Sequence, residues 1–168
     1  MKACGTIGAI DEGKEIHNET VSRGLINMNI ILGIALVDMY VRCGLFNEAQ
    51  YVLDVLPIRN EVSWSPLIEG YTHNGKDHEA LSCLEQIGPG GISPNAITFI
   101  SILKACGNTG AINEGIKIHD EIETRRDLLE KNIVIVDMYV KCEMLAKAKV
   151  VLQGLPSQNV VCWIALIT

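Results

Sequence analysis

The sequence has few of the features that mark a secreted protein or a membrane protein. Aromatic side chains make up only 5% of its 168 residues, and proline occurs five times. Its longest apolar run, Ile30–Val37, is far shorter than the ~20 residues that a transmembrane helix needs. The first residues hold neither the apolar block of a secretory signal peptide nor an Arg- and Ser-rich transit sequence. We therefore predict no membrane contact, and the chain shows no organelle address.

The arrangements that would indicate catalysis or metal binding are also missing. The six cysteines form no CxxC pair, and we predict that they are reduced and mostly buried. His17 with Glu19, and His119 with Glu121, are spaced to lie on different helix faces, so we predict structural roles for them. Gly88–Gly91 is not followed by the Gly-Lys-Ser/Thr of a phosphate-binding loop. We predict no enzyme activity, no cofactor, no metal and no small-molecule substrate.

Positively charged residues are also scarce in this sequence. The chain has 14 Lys and Arg against 20 Asp and Glu, a formal net charge of −6. This balance weighs against nucleic acid as a ligand, because phosphate affinity usually comes from an excess of Lys and Arg. Apolar residues, in contrast, make up 48% of the chain. This amount of apolar material predicts a folded chain with a buried core.

An internal repeat of about a hundred residues dominates the sequence. The segment Lys2–His17 recurs as Lys104–His119, with eleven of sixteen residues identical. Val37–Cys43 recurs as Val136–Cys142, with six of seven residues identical. A shorter period, with steps of 31 to 36 residues, also runs through the chain. One position of this short repeat is glycine in four copies, Gly8, Gly44, Gly75 and Gly110, and is Glu143 in the last copy. A period of this size is typical of helical solenoids.

Each short repeat has the pattern of two helices joined at the glycine. Apolar residues recur every three to four positions, and glycine accepts the left-handed conformation that ends a helix. We predict first helices near Ile30–Arg42, Val62–His73, Ala96–Gly107 and Ile133–Cys142. We predict second helices near Asn47–Leu56, Asp77–Ile87, Ile112–Arg125 and Leu145–Leu152. Since each hairpin must bury its apolar face against its neighbours, the sequence predicts an all-α fold, a right-handed superhelical α-solenoid of helix–turn–helix repeats.

Three segments together resemble a known family. They are LVDMYVRCG at Leu36–Gly44, EVSWSPLIEGYTHNG at Glu61–Gly75 and ISPNAITFISILKACG at Ile92–Gly107. Their order resembles the plant PLS class of pentatricopeptide repeat (PPR) proteins, over essentially the whole chain. The resemblance implies non-catalytic, sequence-selective binding of single-stranded RNA in a mitochondrion or chloroplast. The implied processes are RNA editing, processing or stability, with possible protein partners of an editing or processing complex.

The resemblance also implies a division of the chain into motifs. The expected long motifs are 1–29, which is partial, and 96–132. The expected short motifs are 30–60 and 133–159, and the standard motif is 61–95, with another starting at 160–168. The second short motif lacks four residues, because Ile133–Val136 corresponds to Ile30–Val37. The loss of about one helical turn is expected to remove its base-reading position.

In the family, two residues of each repeat read one base, and apolar neighbours sandwich the base. The resemblance assigns Ser65 and Asn95 to the standard motif, a pair that favours a purine. In the other assigned pairs an asparagine is matched with an isoleucine, which forms no side-chain hydrogen bond: Ile34 with Asn60 and Ile100 with Asn132. The sandwiching residues are expected to be Val62, Ile97 and Ile31. The tryptophans next to reading positions, Trp64 and Trp163, are expected to pack between hairpins instead.

Charge placement leaves room for RNA on the inner face of the solenoid, which the first helices form. Acidic residues concentrate on the outward second helices: Glu79, Glu85, Glu114, Glu121, Glu123 and Glu130. Basic residues of the first helices are candidates to meet phosphates: Lys2, Arg42, Lys104 and Lys141. Two alternatives stay open. One is a protein-interaction solenoid that cradles peptides, and the other is a degenerate, non-functional fragment of a PPR protein.

Overall fold

The computed structural model describes residues 7–87, 94–124 and 132–154, and every regular element in these ranges is an α-helix. The helices are α1 (Ile7–Ser22), α2 (Leu25–Met28), α3 (Ile30–Arg42), α4 (Phe46–Val55), α5 (Glu61–His73), α6 (Asp77–Ile87), α7 (Ala96–Thr109), α8 (Ile112–Thr124), α9 (Asn132–Lys141) and α10 (Leu145–Gln153). The predicted all-α fold is confirmed. None of these helices is both long and apolar enough to cross a membrane.

The helices pack as a row of hairpins. Each first helix packs against the second helix that follows it, as α3 does with α4 and α5 with α6. The first helices also pack side by side, since α5 lies against both α3 and α7, and α7 lies against α9. Contacts therefore run mainly between neighbouring repeats, which confirms the predicted solenoid of helix hairpins.

Most predicted helix bounds are correct to within two residues. The largest difference among the first helices is at α7, which continues to Thr109 rather than ending near Gly107. The first repeat departs more, because α1 already begins at Ile7 and Gly8 lies inside it rather than in a turn. The shortened second short motif shows in α9, which has 10 residues where α3 has 13. The segment Gly88–Gly91 lies outside the described residues.

Three asparagines explain where the first helices begin. Asn29 precedes α3, and its Oδ1 accepts a hydrogen bond from the Ile31 N–H at 3.0 Å. Asn60 and Asn95 cap α5 and α7 in the same way. Asparagine is favoured at this position because its side chain satisfies N–H groups that have no acceptor inside the helix. The predicted motif ends at 29, 60 and 95 coincide with these caps, and the motif division itself remains a prediction.

The repeated glycine position forms the turn inside each hairpin. Gly44, Gly75 and Gly110 have φ angles of 74°, 70° and 72°, in the left-handed region where only glycine is free of strain. Glu143 occupies the same position in the last repeat with φ 59°. A residue with a Cβ in this conformation costs about 1–2 kcal/mol, so the last hairpin carries backbone strain that the others avoid.

Replacing Glu143 with glycine should therefore stabilise the fold. We expect Glu143→Gly to raise the free energy of unfolding by about 1 kcal/mol in urea titrations followed by circular dichroism. The reciprocal control, Gly110→Ala, imposes the same strain on an unstrained turn and should lower the free energy by a similar amount. A Glu143→Gly variant no more stable than the native chain would show that the strain is relieved elsewhere.

The hundred-residue repeat of the sequence is also a repeat of contacts. The Nδ1 of His17 lies 2.8 Å from the Tyr40 hydroxyl, and the Nδ1 of His119 lies 2.9 Å from the Tyr139 hydroxyl. Both pairs pack edge to face with ring centroids 5.5 Å apart. Each pair joins a second helix, α1 or α8, to the next first helix, so the predicted structural role of these histidines is confirmed.

Burial of the two histidines makes stability depend on pH. Desolvation lowers the pKa of His17 and of His119 below the ordinary 6.5, because burial disfavours the charged ring. The unfolded chain therefore binds more protons just below pH 6.5, and the free energy of unfolding falls as pH falls below that value. We expect His17→Gln with His119→Gln to flatten this slope between pH 5 and pH 7, a range set by the ordinary histidine pKa.

Urea titrations at several pH values measure the effect directly. An unchanged slope in the double variant would assign the pH dependence to other groups.

Candidate nucleic-acid interface

An exposed row of apolar side chains lines one end of the first helices. The second residue of each of α3, α5, α7 and α9 is Ile31, Val62, Ile97 or Ile133, with exposed fractions of 73%, 48%, 54% and 41%. Because these helices pack side by side, the four residues recur once per repeat along the array. We call them the apolar row. Regularly spaced exposed apolar groups of this kind suit flat ligands that slot between neighbouring repeats.

The predicted reading pair, Ser65 and Asn95, is in direct contact. The Asn95 Nδ2 donates a hydrogen bond to the Ser65 Oγ at 2.7 Å, across the boundary between α5 and α7. The Ser65 hydroxyl also lies 2.7 Å from the Glu61 carbonyl oxygen, to which it can donate, and 3.0 Å from the Thr98 Oγ1. Ser65 is 8% exposed and Asn95 is half-buried, so the pair forms the floor of a site and not a protrusion.

The other two predicted pairs each match an asparagine with an isoleucine, and only Ile34 with Asn60 is described in full. The Oδ1 of Asn60 accepts from the N–H groups of Val62 at 3.1 Å and Ser63 at 3.0 Å, so its oxygen serves the cap of α5. Its predicted partner Ile34 is half-buried and offers no polar atom. Asn132 begins α9, but its side chain lies outside the described residues, and its predicted partner Ile100 is half-buried. Of the pairs described in full, only Ser65 with Asn95 joins two polar side chains.

The charges beside the apolar row are mixed. Two helical turns beyond Ile31, Val62 and Ile97, on the same face by spacing, lie Asp38, Glu69 and Lys104. The inner face therefore carries acidic as well as basic side chains, and the expectation that it is less acidic than the second helices stays a prediction.

Two of the basic residues expected to meet phosphates are already paired. The Nε of Arg42 lies 2.8 Å from the Asp38 carboxylate, one turn away on α3. The Nζ of Lys141 lies 3.0 Å from the Asp137 carboxylate and 3.1 Å from the Asn108 Oδ1. Lys2 lies outside the described residues. Among the cations on described first helices, Lys104 is exposed and has no ion pair.

The described tryptophan does not line the interface. Trp64 is only 2% exposed, which confirms the expectation that it packs between hairpins; Trp163 lies outside the described residues. Within the described ranges, no cluster of three His, Cys, Asp or Glu side chains could hold a metal ion. Burial raises the pKa of the Cys83 and Cys106 thiols to about 12, so both stay protonated at neutral pH.

One residue of this site was missed from the sequence. Thr98 lies in the first turn of α7 and is 1% exposed, yet its hydroxyl contacts both Ser65 and Asn95. Its spacing from Asn95, three residues on, is the spacing at which a cap side chain meets the first turn of a helix. That spacing could have predicted the contact of Thr98 with Asn95. The contact of Thr98 with Ser65 could not be predicted in this way, because the two residues lie 33 positions apart.

Comparison with known proteins agrees with this architecture. The model of the PPR repeat family matches residues 59–125, which hold α5 to α8. A chloroplastic pentatricopeptide repeat-containing protein of Arabidopsis thaliana is 36% identical over 170 residues, which cover 99% of this chain and 27% of that protein. A mitochondrial one from the same plant is 34% identical over 172 residues, covering 100% of this chain and 30% of that protein.

A third such Arabidopsis thaliana protein, whose name gives no organelle, is 32% identical over 165 residues, covering 96% of this chain and 23% of that protein. The chain thus spans about a quarter of the length of the curated relatives it matches. The family match covers the hairpins that carry Ser65, Asn95 and two residues of the apolar row, Val62 and Ile97. With its helix hairpins, its repeat period and these matches, the chain belongs to the pentatricopeptide repeat family, whose general role is RNA binding.

Proposed function

We propose that this chain binds single-stranded RNA with base selectivity and performs no catalysis itself. The apolar row carries the proposal, because its side chains are exposed once per repeat at the spacing of the array. A base inserted between Val62 and Ile97 meets an apolar surface on each face. Its edge then meets Ser65, one turn beyond Val62 on α5, and Asn95, two residues before Ile97.

The hydrogen-bonding groups that remain on the reading pair support base selection. Asn95 keeps one Nδ2–H after donating to Ser65, and the Ser65 oxygen keeps one lone pair. This offers one donor beside one acceptor, the pattern that matches the adjacent acceptor and donor on the edge of adenine. A purine also covers more of the apolar row than a pyrimidine does, so we propose a purine at this repeat.

The charge of the interface sets the expected strength of binding. The inner face carries Asp38 and Glu69, and Arg42 is paired, which leaves Lys104 to meet a phosphate. Affinity should therefore be modest and should fall as salt rises. With one phosphate contact, the slope of log affinity against log salt should be about −0.7 for a single strand.

Fluorescence anisotropy with twelve-residue oligo(A), oligo(C) and oligo(U) at low salt tests the proposal. Homopolymers place the same base at the Ser65–Asn95 repeat in every register. We expect oligo(A) to bind tightest, and Ser65→Ala or Asn95→Ala to lower the preference for oligo(A). Ser82→Ala, on the outer helix α6, is the matched control and should change nothing. Binding no tighter than that of an equally acidic helical solenoid would contradict the proposal and favour a peptide-binding solenoid.

We further propose that the protein acts in a chloroplast or mitochondrion, in RNA editing, processing or stability, with partners from the corresponding complex. Relatives named chloroplastic and mitochondrial support the compartment. We also propose the division into long, short and standard motifs at 29, 60, 95, 132 and 159. Imaging of a fluorescent fusion to the product of the full reading frame tests the compartment, and a cytosolic signal would contradict it.

A further inference from the structure

Thr98 touches both members of the reading pair without reaching the surface. Its Oγ1 lies 3.0 Å from the Ser65 Oγ and 3.1 Å from the Asn95 Oδ1. The residue is 1% exposed, so a bound base cannot contact it. Any influence of Thr98 on a ligand must therefore act through Ser65 and Asn95.

Thr98 fixes which way the Asn95 amide points. The Asn95 Oδ1 accepts from the Thr98 backbone N–H at 3.0 Å and from the Thr98 hydroxyl at 3.1 Å. A backbone N–H can only donate, so the amide oxygen must face α7. The amide nitrogen is then left facing Ser65, to whose Oγ it donates at 2.7 Å.

The three side chains form a ring of polar contacts. Asn95 donates to Ser65, and the Thr98 hydroxyl donates to the Asn95 Oδ1. The single Ser65 proton has two acceptors within reach, the Glu61 carbonyl oxygen at 2.7 Å and the Thr98 Oγ1 at 3.0 Å. Each member of such a ring polarises the next, which strengthens the whole. The Ser65 side chain is held in one rotamer by three partners, namely Asn95, Thr98 and the Glu61 carbonyl oxygen.

The neighbouring repeat shows that this arrangement does not follow from the cap alone. Ser63 stands where Thr98 stands, as the third residue of its helix, but its Oγ bonds to the backbone N–H and C=O of Asn60. The reading position that pairs with Asn60 is Ile34, whose side chain forms no hydrogen bond and so cannot join a ring. Among the described repeats, a ring linking cap, first turn and reading position therefore exists at Thr98.

We propose that Thr98 is a positioning residue that sets the hydrogen-bonding polarity of the reading pair. It presents Asn95 to the base as a donor and Ser65 as an acceptor. Without the Thr98 hydroxyl, the Asn95 Oδ1 keeps one donor instead of two, and Ser65 keeps only Asn95 and the Glu61 carbonyl oxygen as partners, so the pair is held less firmly. This inference rests on the proposed RNA-binding function and adds a residue that determines its specificity from beneath the site.

The test compares Thr98→Val with Thr98→Ser. Valine keeps the size and branching of threonine in a buried site and removes only the hydroxyl, so the fold should be retained, as thermal unfolding can verify. We expect Thr98→Val to reduce the ratio of oligo(A) to oligo(U) affinity by about fivefold, the effect of roughly one hydrogen bond. Thr98→Ser restores the hydroxyl and should restore most of the ratio. A purely structural role would weaken binding to both oligonucleotides alike.

Nuclear magnetic resonance of the free protein provides a readout that needs no RNA. The Asn95 side-chain amide protons should exchange with water faster in Thr98→Val than in the native chain or Thr98→Ser. Unchanged exchange together with an unchanged oligo(A) preference would overturn the inference and leave the proposed function standing. A native chain that binds oligo(A) and oligo(U) equally would overturn the proposed base selectivity, and the specificity role of Thr98 with it.

Discussion

Replacing Phe99 with alanine should lower the free energy of unfolding by about 3–5 kcal/mol. Phe99 is 0% exposed on α7, the helix that packs against α5, α6, α8 and α9. Its loss opens a cavity at the centre of the array, where close-packed neighbours can relax only in part. Urea unfolding followed by circular dichroism measures the change, and such a loss is a large share of the stability of a chain of this size.

Ile97 is the matched control, since it lies on the same helix two residues earlier and is 54% exposed. Ile97→Ala should change the free energy of unfolding by less than about 0.5 kcal/mol, because it removes little buried surface. It should nevertheless weaken oligo(A) binding, since it removes one face of the proposed base slot. Equal stability losses for Phe99→Ala and Ile97→Ala would contradict the described orientation of α7.

Replacing Pro66 with alanine should raise the free energy of unfolding by about 2 kcal/mol. Pro66 lies inside α5, where it has no N–H to donate to the Val62 carbonyl one turn earlier. An interior proline costs a helix about 3 kcal/mol, and the greater freedom of the unfolded alanine chain returns about 0.4–1 kcal/mol of this. Most single substitutions destabilise a protein, so a gain of this size would be a specific outcome.

Pro57→Ala supplies the same chemical change outside a helix. Pro57 is exposed between α4 and α5, where it breaks no helical hydrogen bond. Its replacement should lower the free energy of unfolding slightly, by up to about 1 kcal/mol, through the unfolded chain. If both variants shift stability in the same direction, the helical hydrogen bond at Val62 is not the cause. Because Pro66 follows Ser65 directly, oligo(A) binding by Pro66→Ala would also show whether the proline shapes the reading site.

The helical array was predictable because its signals are local and repeated. The glycine position fixed the turns at Gly44, Gly75 and Gly110, since a left-handed φ is a property of one residue and its neighbours. The same alignment singled out Glu143, whose φ of 59° shows that the repeat dictates the backbone even where the side chain opposes it. Gly8 departed because α1 begins before it, and helix bounds depend on contacts beyond the repeat pattern.

The candidate site was only partly predictable. The family resemblance implied the pairing of Ser65 with Asn95 and the sandwiching role of Val62 and Ile97; the structure brings the pair to 2.7 Å and leaves Val62 and Ile97 exposed. The ion pair of Arg42 with Asp38 was missed, although residues four apart on a helix commonly pair. The acidic residues considered from the sequence lie mainly on second helices, whereas Asp38 lies on the same first helix as Arg42.

The sequence by itself determined the repeat, the all-α class, the turns and the residues that face the same side of each first helix, because these depend on spacing along the chain. Only the tertiary structure decided which of those residues remain available. It closed the ring of Ser65, Asn95 and Thr98, buried Trp64 and engaged Lys141 with Asn108. The contacts of Ser65 with Asn95 and Thr98, and of Lys141 with Asn108, join side chains about one repeat apart. Such hydrogen bonds depend on distances of a few tenths of an ångström that no spacing rule specifies.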